Sequence, residues 1–462
     1  MPSPFHGISM AGNALRAFQR AMEVVGNNMA NVNTRGYSRQ TIEMAASSPT
    51  TIYTASGAQQ LGTGVNISAI ARTRDFFLES RMQSALSDFG RSGTLSESLR
   101  SIEGVLNEAG NRGISSALDG FFNAFSALGS SPNDAAARLE MRNAGVTLTT
   151  RIRDTYARLE DMETNGTLQL KQQVEQINDL ANTIHRLNGQ IAREQVMGAG
   201  ATNLADQRDM AIQDLSQLVN LSTQLHPDGT MSVTVSNFSL VDQHTVRTLP
   251  DTFDAASQSI IDGSRSVPIR GGKLLGSLQS LQHLSSAMDS LDTLSNTLRA
   301  QINPLHASGI NPLGNTGVNF FNDVVPPDLP TGARDFNLSD EVLASSEAIV
   351  SGVSGAPGDG GLALQFSELR NTKLAGLGNK SMLEYWRGTV TGVASESSFY
   401  KITHESHGAI VEQVQSQIDA VSGVSLDDEM AELVKFQRSY QAAARVLSIL
   451  DSTTEDLLGM LR

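Results

Sequence analysis

Apolar residues recur at alternating steps of three and four near the start of this chain. The stripe consists of Ile8, Ala11, Leu15, Phe18, Met22, Val25, Met29 and Val32. This spacing is the heptad pattern of helices that pack along a narrow seam. Such a stripe is too narrow to enclose a globular core by itself, so it predicts a helix buried against another element.

A second stripe of the same kind lies near the end of the chain. It consists of Leu426, Met430, Leu433, Tyr440, Ala444, Leu447, Leu450, Leu457 and Leu461. Polar Gln437 and Thr454 interrupt it, and one step is shortened at Leu450. We expect the two stripes to pack against each other and against copies in neighbouring subunits. The predicted coiled-coil assembly domain therefore comprises residues 1–40 and 425–462.

The long middle of the chain is predicted to be an elongated helical rod domain. Residues 135–195 contain no proline, and their apolar residues keep a heptad spacing. This predicts a helix of about 60 residues, roughly 90 Å long. Another helical pattern is expected to stop at Asn303-Pro304. We assign residues 41–219 and 272–424 to this domain.

Two stretches of the middle depart from the helical pattern. Residues 220–271 show strand patterns around the turn signal Pro227-Asp228-Gly229, and are predicted to form a small β-rich insertion. Residues 307–361 are rich in proline and glycine and read as irregular loop, with a possible short helix from Ser339 to Ser351. The predicted fold class is therefore mainly α, with paired terminal coiled-coil helices and one small β insertion.

Composition narrows the range of partners. The chain of 462 residues has a formal net charge of -14, which argues against nucleic acids and anionic membranes and leaves proteins as the expected partners. It contains no cysteine, so disulfides cannot stabilise it. We find no apolar run of transmembrane length, and the N-terminus lacks the basic and apolar regions of a cleaved secretory signal.

Motifs that could carry catalysis or bind a ligand do not fit their patterns. His404-Glu405-Ser406-His407 spaces its histidines by three residues, whereas the zinc motif needs four. In Gly376–Ser381, Asn379 replaces the glycine that precedes lysine in a phosphate-binding loop. Asp427-Asp428-Glu429 begins a predicted helix and complements its dipole. We therefore predict no catalytic residue, metal or cofactor.

The sequence that follows the N-terminal stripe carries a recognisable signature. Residues 27–40 resemble the N-terminal signature of bacterial flagellar rod, hook and hook-associated proteins, and residues 426–461 resemble their paired C-terminal helix. Residues 198–209 and 422–429 further resemble the junction proteins of that family, although Ser425 stands where they usually have asparagine. The residues of the signature are Asn31, Asn33, Thr34, Gly36, Tyr37, Arg39 and Gln40.

The resemblance implies a structural protein that adapts the hook to the flagellar filament. Its implied partners are copies of itself in a ring or helical layer, the hook protein below, the next junction protein above and a cytoplasmic export chaperone that covers the C-terminal stripe. The implied location is extracellular, reached through the flagellar type III pathway without a cleaved signal. Longer family members have large β domains where this chain has short stretches. The alternatives are a rod or hook subunit, a cytoplasmic coiled-coil scaffold and an enzyme.

Several of these residues also have a purely structural explanation. Gly36 is expected to let the chain leave the first helix through a backbone conformation that a Cβ atom disfavours. Tyr37, Arg39 and Gln40 could bind a partner or simply pack against the predicted extended connector, residues 41–72, that follows them. Asp206, Arg208 and Asp209 are predicted to form an exposed charge cluster on a helix, with a direct contact between subunits as the alternative.

Overall fold

The computed structural model describes residues 5–54, 57–106, 113–197, 200–323 and 332–460. The prediction of a mainly α fold is confirmed. The α-helices are α1 (Phe5–Ala30), α2 (Phe76–Val105), α3 (Ile114–Ser130), α4 (Ala135–Val196), α5 (Thr202–Leu218), α6 (Gly272–Ala307), α7 (Asp340–Ala344), α8 (Gly361–Glu368), α9 (Met382–Ser422) and α10 (Leu426–Gly459).

The strands form small antiparallel sheets. They are β1 (Gln40–Ala46), β2 (Thr50–Thr54), β3 (Gly57–Leu61), β4 (Val65–Arg72), β5 (Ser222–Leu225), β6 (Met231–Val235), β7 (Phe238–Val241), β8 (Phe253–Asp254), β9 (Ser259–Asp262) and β10 (Arg265–Pro268). Strand β1 pairs with β4, and β2 pairs with β3. The predicted β insertion contains two three-stranded sheets, with the orders β5-β6-β7 and β10-β9-β8.

Helix starts follow the capping chemistry of the sequence. Asp134 caps α4, because its Oδ1 accepts the Ala136 N–H at 2.8 Å. Ser381 and Glu384 form a reciprocal capping box at the start of α9, with bonds of 2.9 and 3.2 Å. Ser425 caps α10 by accepting the Asp428 N–H at 3.4 Å. The serine side chain thus performs the capping role at the start of α10.

The chain divides into two compact units, each built from separate stretches of sequence. The first unit contains Met1–Phe89, Gln176–Leu249 and His407–Arg462, and includes both terminal helices. The second contains Gly90–Glu175 and Pro250–Ser406. Because the boundary falls between Leu249 and Pro250, the β5-β6-β7 sheet belongs to the first unit and the β10-β9-β8 sheet to the second.

The second unit has an aromatic core around His306. Phe121, Phe125, Phe320, Phe321, Phe336 and Phe366 are all fully buried and pack in a chain of ring contacts with centroids 4.5–5.7 Å apart. The His306 ring lies 5.4 Å from the Phe320 ring. This core gathers residues from α3, α6, α8 and the loops around them.

The prediction that α6 ends at Asn303-Pro304 is wrong, because the helix continues to Ala307. Proline removes only one N–H donor there, and tertiary hydrogen bonds hold the last turn. Asn303 donates to the Phe321 carbonyl at 3.1 Å, and its side-chain oxygen accepts the Phe321 N–H at 2.9 Å. Tertiary bonding therefore overrides the local helix-breaking signal.

Candidate assembly surface of the terminal helices

Helices α1 and α10 pack as an antiparallel pair. Gly7 lies against Leu450, whose Cδ1 is 3.0 Å from where a Cβ atom on Gly7 would be. Three heptads further along α1, Asn28 donates to Glu429, which lies three heptads before Leu450. These two contacts fix one register for the whole pair. The expected pairing of the two terminal stripes thus exists within a single chain.

The seam of α1 lies one residue earlier than the stripe of large apolar residues. In the register just described, the positions that face α10 are Gly7, Met10, Ala14, Ala17, Ala21, Val24 and Asn28. Ala17, Ala21, Val24 and Asn28 are buried, as are Ala11 and Val25 of the predicted stripe. Ile8, Leu15, Phe18, Met22, Met29 and Val32 are only partly buried. The seam therefore uses small residues, which let the large side chains of α10 approach closely.

The seam of α10 is an unbroken heptad pattern. Its positions are Glu429, Leu433, Phe436, Tyr440, Ala443, Leu447, Leu450 and Thr454. Thr454, which interrupts the stripe in the sequence, is buried and donates its hydroxyl to the Leu450 carbonyl at 2.6 Å. Leu426 and Met430 are 47% and 55% exposed, and Ala444 is partly buried. The side chain of Leu457 and all of Leu461 lie outside the described residues.

Large apolar residues that the seam leaves out share one flank of the helix pair. In an antiparallel pair, the residues one position after the seam residues lie on the same flank of the pair, whichever helix they belong to. Phe18 and Met22 on α1 therefore share a side with Met430 and Val434 on α10, where Met430 and Val434 are 55% and 44% exposed. We call the surface formed by Leu15, Phe18, Met22, Met29, Met430 and Val434 the open flank.

The opposite flank of the pair is covered by the β1–β4 connector. His6 is hydrogen-bonded to the Gly62 carbonyl at 3.1 Å, and Met10 lies against Gly64. Arg20 and Asn27 line a groove together with Ile67–Ile70 of β4. The apolar surface of the terminal helices is thus covered on one side and left partly exposed on the other.

The family signature forms the turn between α1 and β1. Gly36 has a φ of 79°, a conformation that disfavours a Cβ atom, and a Cβ atom there would also displace the Met210 side chain. Asn31 Nδ2 donates to the Asn27 carbonyl at 2.9 Å, and the Thr34 hydroxyl donates to Asn31 Oδ1 at 3.2 Å. Asn33 is exposed. The expected structural role of Gly36 is therefore observed.

The later residues of the signature bond to distant parts of the first unit. Burial raises the pKa of Tyr37 to about 12, so its hydroxyl stays protonated and donates to Asn28 Oδ1 at 2.8 Å. Arg39 Nε donates to Glu429 at 2.6 Å. Gln40 is buried and donates from its side chain to Asn203 at 3.2 Å. These contacts support the connector-packing interpretation, and a binding role for these residues stays a prediction.

The prediction of an exposed charge cluster on α5 is wrong. Asp206, Arg208 and Asp209 are buried, at 5%, 1% and 8% exposure. Arg72 of β4 bonds Asp206 at 2.9 Å and Asp209 at 2.8 Å, and Arg74 also pairs with Asp209. The sequence gives no local signal of these partners, because the two arginines lie 134 to 137 positions before the aspartates that they bond.

Arg208, on α5 itself, also belongs to this cluster. Its guanidinium donates to the Gly229 carbonyl at 2.6 Å and lies beside Asp209 at 3.3 Å. Burial lowers the pKa of Arg208, and the charge of Asp209 opposes that shift. Burial likewise raises the pKa of Glu79, against the opposing charge of Arg74. The cluster therefore joins α5 to the β4 end of the connector.

The zinc-like motif of the sequence does not form a metal cluster among the described residues. These residues contain no group of three or more histidine, cysteine, aspartate or glutamate residues placed to hold a metal ion. His404 and His407, from the zinc-like motif, point to different neighbours: His404 lies against Ser92 and Gly93, and His407 against the Asp88 carbonyl. Of the helices in the described part of the chain, none has the length and apolarity needed to cross a membrane.

Comparison with known families agrees with the terminal and central features. The profile of the flagellar hook-associated protein FlgK helical domain matches residues 99–321. The profile of the flagellar basal body rod protein matches residues 8–37, and that of the FlgEFG rod protein C-terminal region matches residues 415–460. The matched segments therefore include most of both terminal helices.

Individual relatives match over almost the whole chain. Flagellar hook-associated protein 1 of Bacillus subtilis is 26% identical over 500 aligned positions, which cover 99% of both chains. The Escherichia coli protein of the same name is 25% identical over 548 positions, covering 98% of this chain and 99% of the relative. Since that alignment is longer than the 462 residues of this chain, parts of the relative stand opposite gaps.

A solved structure shares the fold. The flagellar hook junction protein FlgK from Burkholderia pseudomallei aligns with a TM-score of 0.63 and 16% identity, covering 74% of this chain and 100% of that one. The profiles at both ends, the profile in the middle and the relatives over the full length all point the same way. The chain is similar to flagellar hook-associated protein 1 over almost its whole length, and its two ends match profiles of flagellar rod proteins.

Proposed function

We propose that this chain is a structural subunit of the bacterial flagellum that joins the hook to the filament. The observation that carries the proposal is the open flank: two paired helices, in a chain similar to flagellar hook-associated protein 1, leave partly exposed apolar side chains on one side. An apolar surface of this kind usually marks a protein interface. Other copies of this chain, in a ring or helical layer, would cover it.

The remaining parts of the chain have distinct roles in this proposal. Residues 1–40 and 425–462 form the assembly domain, in contact with the hook protein below and the next junction protein above. Residues 41–219 and 272–424 form an outer helical domain, with residues 220–271 as its β insertion. Because a bending hook and a stiff filament need different lateral contacts, a separate layer between them adapts one to the other.

The route to the flagellum is part of the same proposal. The chain is exported without a cleaved signal peptide, and a cytoplasmic chaperone covers the C-terminal stripe before export. Leu433, Tyr440 and Leu447 lie in the seam of α10, so they are uncovered whenever α1 is not paired. An unpaired amphipathic helix of this type fits the hydrophobic groove of a chaperone.

The rival assignment within the family is a rod or hook subunit. The match of the FlgK helical domain to residues 99–321 favours the junction protein. A cytoplasmic coiled-coil scaffold is disfavoured by the match of both termini to profiles of flagellar rod proteins. No enzymatic role is proposed.

The test replaces Met430 with Asp in cells whose own copy of the gene is deleted. A charge on the open flank would be buried without a partner in every subunit contact, so we expect hooks without filaments and flagellin released into the medium. Ala431→Asp is the matched control, since Ala431 is also exposed but faces away from the open flank. Electron microscopy and an immunoblot of the medium give the readout. Normal filaments on Met430→Asp cells would contradict the proposal.

A further inference from the structure

A closed polar cluster lies at the end of the otherwise apolar seam between α1 and α10. Asn28 is 1% exposed and uses all its side-chain hydrogen-bonding capacity. Its Nδ2 donates to the Gln40 carbonyl and to Glu429 Oε2, both at 2.9 Å. Its Oδ1 accepts the Gln40 N–H at 3.0 Å and the Tyr37 hydroxyl at 2.8 Å.

Glu429 is the only charged residue in the α10 seam. It is 1% exposed, and its two oxygens have separate partners: Oε2 accepts from Asn28, and Oε1 accepts from Arg39 Nε at 2.6 Å. Arg39 is held in turn, because its backbone N–H donates to the Ser422 carbonyl at 3.0 Å. The cluster therefore connects α1, the turn after it and the start of α10.

Apolar packing alone leaves the alignment of the two helices weakly defined. Four of the seven α1 seam positions, Gly7, Ala14, Ala17 and Ala21, are small and accept any large side chain of α10. The other two apolar positions, Met10 and Val24, would still face apolar residues of α10 after a slip of one heptad. A slip of one heptad would place Phe436 against Ala14 instead of Ala21. Such a slip exchanges one small-to-large contact for another, so it costs little packing.

The polar cluster responds to the same slip very differently. Glu429 would face Ala21 and lose the Asn28 amide, while Asn28 would lie beyond the first turn of α10. A buried carboxylate without its donors is strongly disfavoured, whereas a fully bonded polar group at one seam position is known to select the register of paired helices. We propose that Asn28, Arg39 and Glu429 set the register of α1 against α10, and so determine which apolar residues stand side by side on the open flank.

The test uses the absence of cysteine in this chain, which makes every disulfide an engineered one. Ala14→Cys with Ala443→Cys reports the observed register, in which these positions face each other. Gly7→Cys with Ala443→Cys reports the slipped register. Both pairs are introduced into the otherwise unchanged full-length chain and into an Asn28→Leu/Glu429→Leu background. The double leucine change removes the cluster without burying a lone charge, and Arg39, 30% exposed, can turn to solvent.

Disulfide formation in dilute protein is followed by electrophoretic mobility without reductant and by mass spectrometry. With the cluster intact, we expect the Ala14/Ala443 cysteine pair to close at least about tenfold faster than the Gly7/Ala443 pair. In the double-leucine background, that ratio should fall to about three or less, and a Glu429→Gln chain, which keeps an acceptor for Asn28, should behave like the unchanged one. An unchanged ratio in the double-leucine background would overturn the proposal. Loss of both cross-links would also overturn it, because the cluster would then hold the helices together without choosing their alignment.

Discussion

At the scale of single residues, Gly276 shows how close packing dictates sequence in the second unit. A Cβ atom there would lie 2.8 Å from the Arg91 carbonyl oxygen and 2.8 Å from Thr94 Cβ. We predict that Gly276→Ala destabilises the protein by about 2 kcal/mol despite its better helix propensity. The exposed helix residue Gly104 has no heavy atom within 4 Å of the same point, so Gly104→Ala should stabilise by up to about 1 kcal/mol.

Urea unfolding followed by the fluorescence of Trp386 measures both changes. Trp386 is the single tryptophan and is fully buried in the second unit, so its signal reports that unit alone. If the two alanine variants shifted the transition in the same direction, close contact at Gly276 would not be the reason for glycine there.

His306 gives the second unit a specific response to acid. Its Nδ1–H donates to the Val318 carbonyl at 2.6 Å, and its Nε2 accepts the Val350 N–H at 3.0 Å, so the ring must stay neutral. Burial lowers the pKa of His306 to about 4, from the usual histidine value of 6.5. Because the folded state resists protonation of His306, the stability that the neutral ring contributes is fully present above pH 6.5. This contribution is lost as the pH falls towards 4. The loss attributable to this residue approaches about 3 kcal/mol.

His306→Gln is the matched variant for this response. A glutamine amide can donate to Val318 and accept from Val350, but it does not titrate in this range. Between pH 7 and pH 4.5, we expect the unfolding free energy of the unchanged chain to fall by about 2 kcal/mol or more beyond the fall seen for His306→Gln. A difference that does not depend on pH would exclude His306 as the source.

At the scale of elements, α5 is held by charges that are buried together. We predict that Asp209→Ala, which leaves Arg72, Arg74 and Arg208 without their shared carboxylate, opens α5 and raises its amide exchange rates about a hundredfold. Asp214→Ala is the control on the same helix, because Asp214 is 55% exposed and 3.5 Å from the exposed Arg35. That variant should change exchange little. Equal effects of the two substitutions would show that the buried cluster does not hold α5.

The terminal helices show how far element-level prediction from sequence extends. Heptad spacing identified both helices and their pairing. On α1 the seam lies one residue before the predicted stripe. The stripe was defined by large apolar side chains, whereas the small residues Gly7, Ala14, Ala17 and Ala21 form the contact. Thr454 satisfies its hydroxyl within the helix, at the Leu450 carbonyl, whereas Glu429 belongs to the seam because of its distant partners Asn28 and Arg39. Long-range hydrogen bonds of this kind leave no local signal in the sequence.

At the scale of the whole molecule, the net charge and the open flank have opposite effects on association between copies of the chain. Each copy carries a formal charge of -14, so copies repel at low ionic strength, whereas the core of the open flank contains no charged residue and attracts through burial alone. Added salt screens the repulsion and does not weaken apolar contact. We predict that the purified chain associates more strongly in 500 mM than in 20 mM sodium chloride. Sedimentation equilibrium measures this, and Met430→Asp should remove most of the association at both salt concentrations. Association that weakened with added salt would instead indicate an interface made of ion pairs, and the open flank would not be the surface that brings copies together.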